Sequence, residues 1–382
     1  MPAHHPLDPV ALTEALVAID SRNPDLVPGA PGERACAEFL AEVLDGWGFA
    51  VALQDVAPGR TNVVARIGPA HEAPLVLNGH LDVVGTDDMT HAPFLPHRRG
   101  GNLYGRGSTD MKGGVAAMCV AAARAAERGT LRRELILAAV CDEEFASIGT
   151  RALLDQDLHA VGAIITEPTR LAVVPAHKGF AWLTVTVQGR AAHGSRYDVG
   201  IDANRHAGLF LAALDRFEHD VLTRRTHPLL GRASVHAAEV HGGTGWSTYA
   251  DQCTVHLERR TLPGESGPDA LAEMQALLDA LHAERPTFSA TVALGGAQPP
   301  LDLAADAPLV HQMVAACRAH GLPGAIDGLS CWTDAALFAQ AGIPALCFGP
   351  GDIARAHSAT EWVEVEQIER ATAVLESVCL AS

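Results

Sequence analysis

Four short apolar runs in this chain each lead into an acidic residue or a histidine, and helix-like stretches separate them. Residues 74–84 hold His80 and Asp82, residues 134–141 are followed by Glu143 and Glu144, and residues 163–166 by Glu167. Residues 344–348 run through the turn Gly349-Pro350-Gly351 to His357. Apolar runs of this length, bounded by turn residues, read as buried strands. Strands alternating with helices constrain the chain to an α/β sheet with helices on both faces. Ligands of open α/β sheets bind beyond the carboxyl ends of the strands, where these polar residues fall.

The helices fit the same scheme. One is expected over 9–21, capped by Asp8 with Pro9 at its first position. A second covers 32–47 and ends at Gly48; a third, alanine-rich, covers 113–128 and closes at Gly129. A further strand is expected over 61–67. The style changes after Lys178-Gly179: a strand over 181–188, a helix over 202–224, strands over 233–240 and 252–261, a helix over 268–282 and a strand over 287–294. That is the ferredoxin-like order. From Pro299 the earlier style returns, with helices near 308–320 and 333–340, the strand 344–348 and a last helix from Val365. The expectation is one α/β domain of residues 1–178 and 296–382, interrupted by an α+β insertion of residues 179–295.

With 382 residues the chain is long enough for two such cores. Its net charge of -17, with no lysine- or arginine-rich run, argues against nucleic acid and anionic membranes as partners. The eight cysteines form no CxxC pair and sit mostly in apolar runs, which suits free buried thiols in a reducing cytoplasm. The start, Met1-Pro2-Ala3-His4-His5, shows neither a basic segment nor an apolar stretch, so no signal peptide is expected. Charge interrupts every apolar stretch before the length of a membrane span.

The polar residues carry the chemistry. His80 and Asp82 are two apart on a strand and face the same way, so Asp82 can orient the imidazole. Asp110, in Gly105-Arg106-Gly107-Ser108-Thr109-Asp110-Met111-Lys112-Gly113-Gly114, is either a ligand or the cap of the helix that follows. Of the adjacent Glu143 and Glu144, one can ligate a metal while the other reaches a water. Buried like charges repel, and a metal ion neutralises them. Imidazoles and carboxylates together suit a divalent ion such as zinc.

The segments GHLDVV, GRGSTDMKGG, CDEE, TEPT and AHSATEW, in this order, resemble the co-catalytic zinc family of acetylornithine deacetylase, succinyl-diaminopimelate desuccinylase and carboxypeptidase G. The resemblance covers nearly the whole chain. It implies a mixed-sheet zinc-peptidase catalytic domain with an inserted ferredoxin-like lid and dimerisation domain. It also implies two zinc ions, with cobalt or manganese as substitutes. His80 and Glu167 would hold one ion, Glu144 and His357 the other, and Asp110 would bridge them across a cis Asp110–Met111 peptide. Glu143 becomes the general base and Asp82 the residue that orients His80. Gly189-Arg190-Ala191-Ala192-His193-Gly194-Ser195 resembles the segment whose histidine enters a partner subunit's site, which gives that role to His193. Arg260 falls where the family binds a substrate carboxylate, a task suited to its planar fork. The implied reaction is amide hydrolysis of N-acyl amino acids in a homodimer; a carboxypeptidase or dipeptidase with the same metals is the alternative. Two departures concern the substrate: Gly242 to Tyr249 lacks the asparagine that several relatives carry, and Glu258 replaces a more usual aspartate.

Overall fold

The computed structural model describes residues 6–381, so the segment on which the signal-peptide expectation rests lies outside the described residues. The chain forms two compact units. The first comprises Met1–Pro175, Leu303–Asp327 and Thr333–Ser382; the second comprises Ala176–Asp302 and Gly328–Trp332.

The first unit is built on a mixed sheet. Its strands run in the order Ala50–Ala57, Arg60–Ile67, Leu135–Val140, Leu75–His80, Gly162–Ile165, Ala345–Cys347 and Val173–His177. The four from Leu135–Val140 to Ala345–Cys347 are mutually parallel, and the strands flanking them are antiparallel. Every residue of these four is buried, as continuous apolar runs of parallel strands require. Parallel strands end at one edge. His80 and the segments beginning at Cys141, Thr166 and Phe348 therefore leave the sheet on the same side.

Helix Pro9–Val17 starts where Asp8 accepts from the amides of Val10 and Ala11, with Pro9 at its first position. Helix Arg34–Gly46 stops before Gly48, which adopts φ +88°. Helix Gly113–Glu127 is almost wholly buried. At Gly114 an added Cβ would lie 2.0 Å from the carbonyl oxygen of Thr166, so only glycine lets this helix meet the strand that delivers Glu167.

Some elements differ from expectation. The run 74–84 stops being a strand at His80, where it enters the site. Strand Ala50–Ala57 was not expected; it pairs only with Arg60–Ile67 at the sheet margin, and no residue of it is buried. Strand Val173–His177 was also missed, because Pro175 argues against a sheet interior.

The second unit has the expected connectivity: Gly179–Gln188, helix Ala203–Asp220, Ser234–Gly242, Gln252–Thr261, helix Gly267–Glu284 and Ser289–Gln298. The antiparallel sheet runs Ser234–Gly242, Gln252–Thr261, Gly179–Gln188, Ser289–Gln298, a ferredoxin-like order. Asp202 caps the first helix, and a Ser266–Asp269 capping box starts the second. Their apolar faces bury Phe210, Leu214, Met274 and Leu278 over Leu183, Val185, Val255 and Leu257.

All eight cysteines are thiols and seven are buried. Among the described residues no helix is long and apolar enough to cross a membrane.

Candidate active site

The common sheet edge brings seven of the singled-out side chains together within the first unit. His80 is 1% exposed. Its Nδ1 lies 2.9 Å from the main-chain carbonyl of Asp82 and 3.5 Å from Asp82 Oδ1. A carbonyl only accepts, so Nδ1 carries the hydrogen and Nε2 turns its lone pair into the site. That Nε2 is 3.1 Å from Asp110 Oδ1, 3.9 Å from Glu167 Oε1 and 4.0 Å from Glu143 Oε2. Across the site, His357 Nε2 is 3.0 Å from Glu144 Oε2 and 3.4 Å from Asp110 Oδ2. Asp110 thus offers one oxygen to each histidine. Its peptide bond to Met111 is cis.

Two groups of metal-ligating atoms result, His80–Asp110–Glu167 and Asp110–Glu144–His357, each with its atoms within 4.8 Å of one another. Burial, reinforced by Glu167, pushes the Glu143 carboxyl well above the usual range. Burial and then Asp110 do the same to Glu167. Burial and Asp110 also raise Glu144, although His357 opposes them. Burial lowers the pKa of the His357 imidazole, but hydrogen bonds to Asp110 and Glu144 outweigh it and push the value up to about 11. Imidazole lone pairs and carboxylate oxygens that face each other at 3.0–3.4 Å repel unless a proton or cation stands between them. The donor set therefore fits divalent metal, and its nitrogen and oxygen atoms suit zinc or a similar ion.

The model of peptidase family M20/M25/M40 matches residues 76–381. The chain belongs to this family. Acetylornithine deacetylase of Myxococcus xanthus is 30% identical over 376 residues, 95% of this chain and 94% of that protein. The Vibrio cholerae acetylornithine deacetylase is 29% identical over 343 residues, 88% of either chain. Among solved structures, a Bacillus cereus aminopeptidase superposes with TM-score 0.80 at 19% identity over 98% of both chains. A Bacillus subtilis dinuclear metal-binding peptidase of family M20 gives TM-score 0.74 at 16% identity over 98% of this chain and 97% of its own. These structural likenesses show the M20 fold, and the chain is a metal-dependent hydrolase of the M20 type.

Around this M20 site stand residues that sequence reasoning passed over. Asn23 Nδ2 donates to Asp82 Oδ2 at 2.9 Å and to Asp142 Oδ1 at 3.0 Å. The Asp82 carboxylate also accepts the amides of Glu143 and Glu144, at 3.1 and 3.2 Å. Asp82 therefore ties the strand of His80 to the loop of the glutamate pair, while its main-chain carbonyl is the nearer partner of the imidazole. Glu361, 1% exposed, accepts from Arg106 and from three main-chain amides of the segment leading to Asp110. Its place in the segment AHSATEW, four residues after His357, was the signal available in the sequence.

The two remaining singled-out residues belong to the second unit. His193 is exposed; its Nδ1 accepts from the amide of Ser195 at 3.3 Å and lies 2.8 Å from Ser195 Oγ. Arg260 donates from Nε to Glu258 Oε1 at 2.7 Å and lies over the Phe180 ring at 5.5 Å. The same Glu258 accepts from Trp182 Nε1 at 3.1 Å, which is how the departure from aspartate is used.

Proposed function

We propose that the protein hydrolyses the amide bond of an N-acyl amino acid at a dinuclear metal centre. The observation that carries this reading is the pair of ligand groups sharing Asp110, with Glu143 beside them and unshared. His80, Asp110 and Glu167 would hold one ion, and Asp110, Glu144 and His357 the other, with zinc favoured and cobalt or manganese able to substitute. When bound, the ions supply Lewis acidity to the scissile carbonyl and to the attacking water. Glu143 takes the proton of that water on its carboxylate and delivers it to the leaving amine. Asp82 keeps His80 in one orientation.

His193 supports the same chemistry. An amide donating to Nδ1 leaves the hydrogen of a neutral ring on Nε2, free to bond a carbonyl oxygen whose charge grows during attack. We place His193 in the site of the other subunit of a homodimer. Arg260 binds the α-carboxylate: Nε is taken by Glu258, so its two terminal nitrogens remain as a fork. The thiol-rich chain suits the cytoplasm. The likeness to acetylornithine deacetylases supports an N-acetylated amino acid as substrate.

The test is a substrate panel of N-acetyl amino acids, N-succinyl amino acids and dipeptides, assayed with zinc, cobalt and manganese. Metal-dependent release of free amino acid from an N-acyl substrate is expected. Cleavage of dipeptides alone would make the protein a dipeptidase, and no turnover of any member would remove the reading. Mixing inactive His193→Ala with inactive Glu143→Ala chains should restore part of the activity. No recovery in confirmed heterodimers would count against sites shared between subunits.

A further inference from the structure

We propose that Glu361 is a positioning residue that sets the Asp110 carboxylate between the two metals and, in doing so, chiefly fixes the ion shared by Asp110, Glu144 and His357. The inference rests on the dinuclear reading above.

The backbone from Gly105 to Lys112 is irregular, with Asp110 at φ -121°, ψ 93° and Met111 at φ -133°, ψ 32°. Its amides cannot all find acceptors along a helix, yet the segment is buried. Buried amides without acceptors are rare in folded proteins. The Glu361 carboxylate meets this need. Oε1 accepts from Thr109 N at 3.0 Å and Asp110 N at 3.1 Å. Oε2 accepts from Gly107 N at 3.0 Å and Arg106 Nη1 at 2.8 Å. Four donors fill the capacity of an ionised carboxylate, which alone among side chains accepts this many and donates none. Three converging main-chain amides form an anion nest, occupied here by the protein's own side chain.

The same side chain joins two ligand segments. Glu361 lies four residues beyond His357. The next residue, Trp362, pairs with Tyr104 in the short sheet of His97–Arg99, Asn102–Tyr104 and Trp362–Glu364, and its carbonyl accepts from Thr109 Oγ1. His80 is fixed by its own strand and by Asp82. His357 stands in a loop at φ +56° with its side chain 52% exposed. A displaced Asp110 segment therefore shifts mainly against His357.

Glu361→Gln keeps the size but turns an N–H2 toward one of the two donor pairs, leaving that pair without an acceptor. The experiment strips the full-length chain with a chelator and refills it with cobalt(II), following visible absorption. For Glu361→Gln we expect one ion to weaken by about 10–100-fold, the range for groups that support metal ligands, and the other to move far less. The weakened ion should carry the band that His357→Ala abolishes. Two ions bound as in the unaltered chain, or an equal loss at both, would overturn the proposal. If Glu361→Gln does not fold, Glu361→Asp decides: a partial loss confined to one ion supports the proposal, and no loss or an even loss rejects it. Val363→Ala removes a core contact from the same strand, where Val363 packs with Val10, Leu103 and Ile368. It should lower the melting temperature without separating the two affinities, and a separation there would reduce Glu361 to general stability. Failure of the unaltered chain to bind two cobalt ions would instead count against the dinuclear reading.

Discussion

His80 and His357 face the same aspartate from opposite sides, but the chain supports them in different ways. His80 ends a fully buried parallel strand, is 1% exposed and is held through Nδ1 by the next turn of its own backbone. His357 projects from a loop after a glycine turn, adopts a positive φ and keeps its side chain 52% exposed. The sheet thus makes one half of the site and the loops make the other. A ligand on a strand inherits the rigidity of the core; a ligand on a loop depends on contacts brought from elsewhere, here by Glu361. The two metal positions should therefore differ in affinity and in their response to mutation.

The largest expected effect lies at the residue that belongs to neither half. Glu143→Gln should lower kcat by about 10²–10⁴-fold, the usual contribution of a positioned proton carrier, while metal analysis still finds two ions per chain. Loss of an ion together with activity would make Glu143 a ligand, and the division into two halves would have to be redrawn. The comparison itself is tested by removing each histidine. His80→Ala should abolish stable binding of both ions, because Asp110 loses its fixed partner. It should also destabilise the metal-free protein by about 2–4 kcal/mol through the buried cavity and the acceptors left unpaired. His357→Ala should leave one ion in place and cost the metal-free protein about 1 kcal/mol or less, since the His357 side chain is itself half in solvent. Equal metal loss and equal destabilisation would show that the strand gives no advantage.

The same division governs what could be read from the sequence. Strand-end site candidates announce themselves: an apolar run leads into His80, Glu143-Glu144 or Glu167, and parallel strands then place all of them at one edge. The helix cap at Asp8 and the ferredoxin-like strand order were legible for the same local reasons. The supports were not. Glu361 matters because it accepts amides of a segment distant in sequence, and that need exists only once the segment is folded. Asn23 bridges Asp82 and Asp142, residues 59 and 119 positions away, and no periodicity marks such a residue. Strand Ala50–Ala57 lacked a buried face, and Pro175 disguised Val173–His177.

The smallest expected effect concerns the site emptied of metal. Burial lowers the pKa of His80, but its bonds to Asp110 and Asp82 outweigh that and raise it well above the ordinary value; His357 reaches about 11. A group whose folded pKa is raised stabilises the fold below its unfolded value, near 6.5 for histidine, and loses that contribution as pH rises through the folded value. The raised carboxyls of Glu143, Glu144 and Glu167 act with the same sign, because the folded chain retains protons that the unfolded chain releases above about pH 4.5. The metal-free protein should therefore lose stability steadily from about pH 6.5 to pH 9, as unfolded histidines give up their protons while the folded ones keep them. Bound metal takes the place of those protons, so the gain in melting temperature on adding metal should widen over the same range. Calorimetry of metal-free and metal-loaded samples at several pH values measures both slopes. If the two melting temperatures run parallel, the imidazoles and carboxylates do not exchange protons for metal. The His357→Ala protein should show a shallower slope than the unaltered chain, which separates the loop half from the strand half by their proton uptake alone.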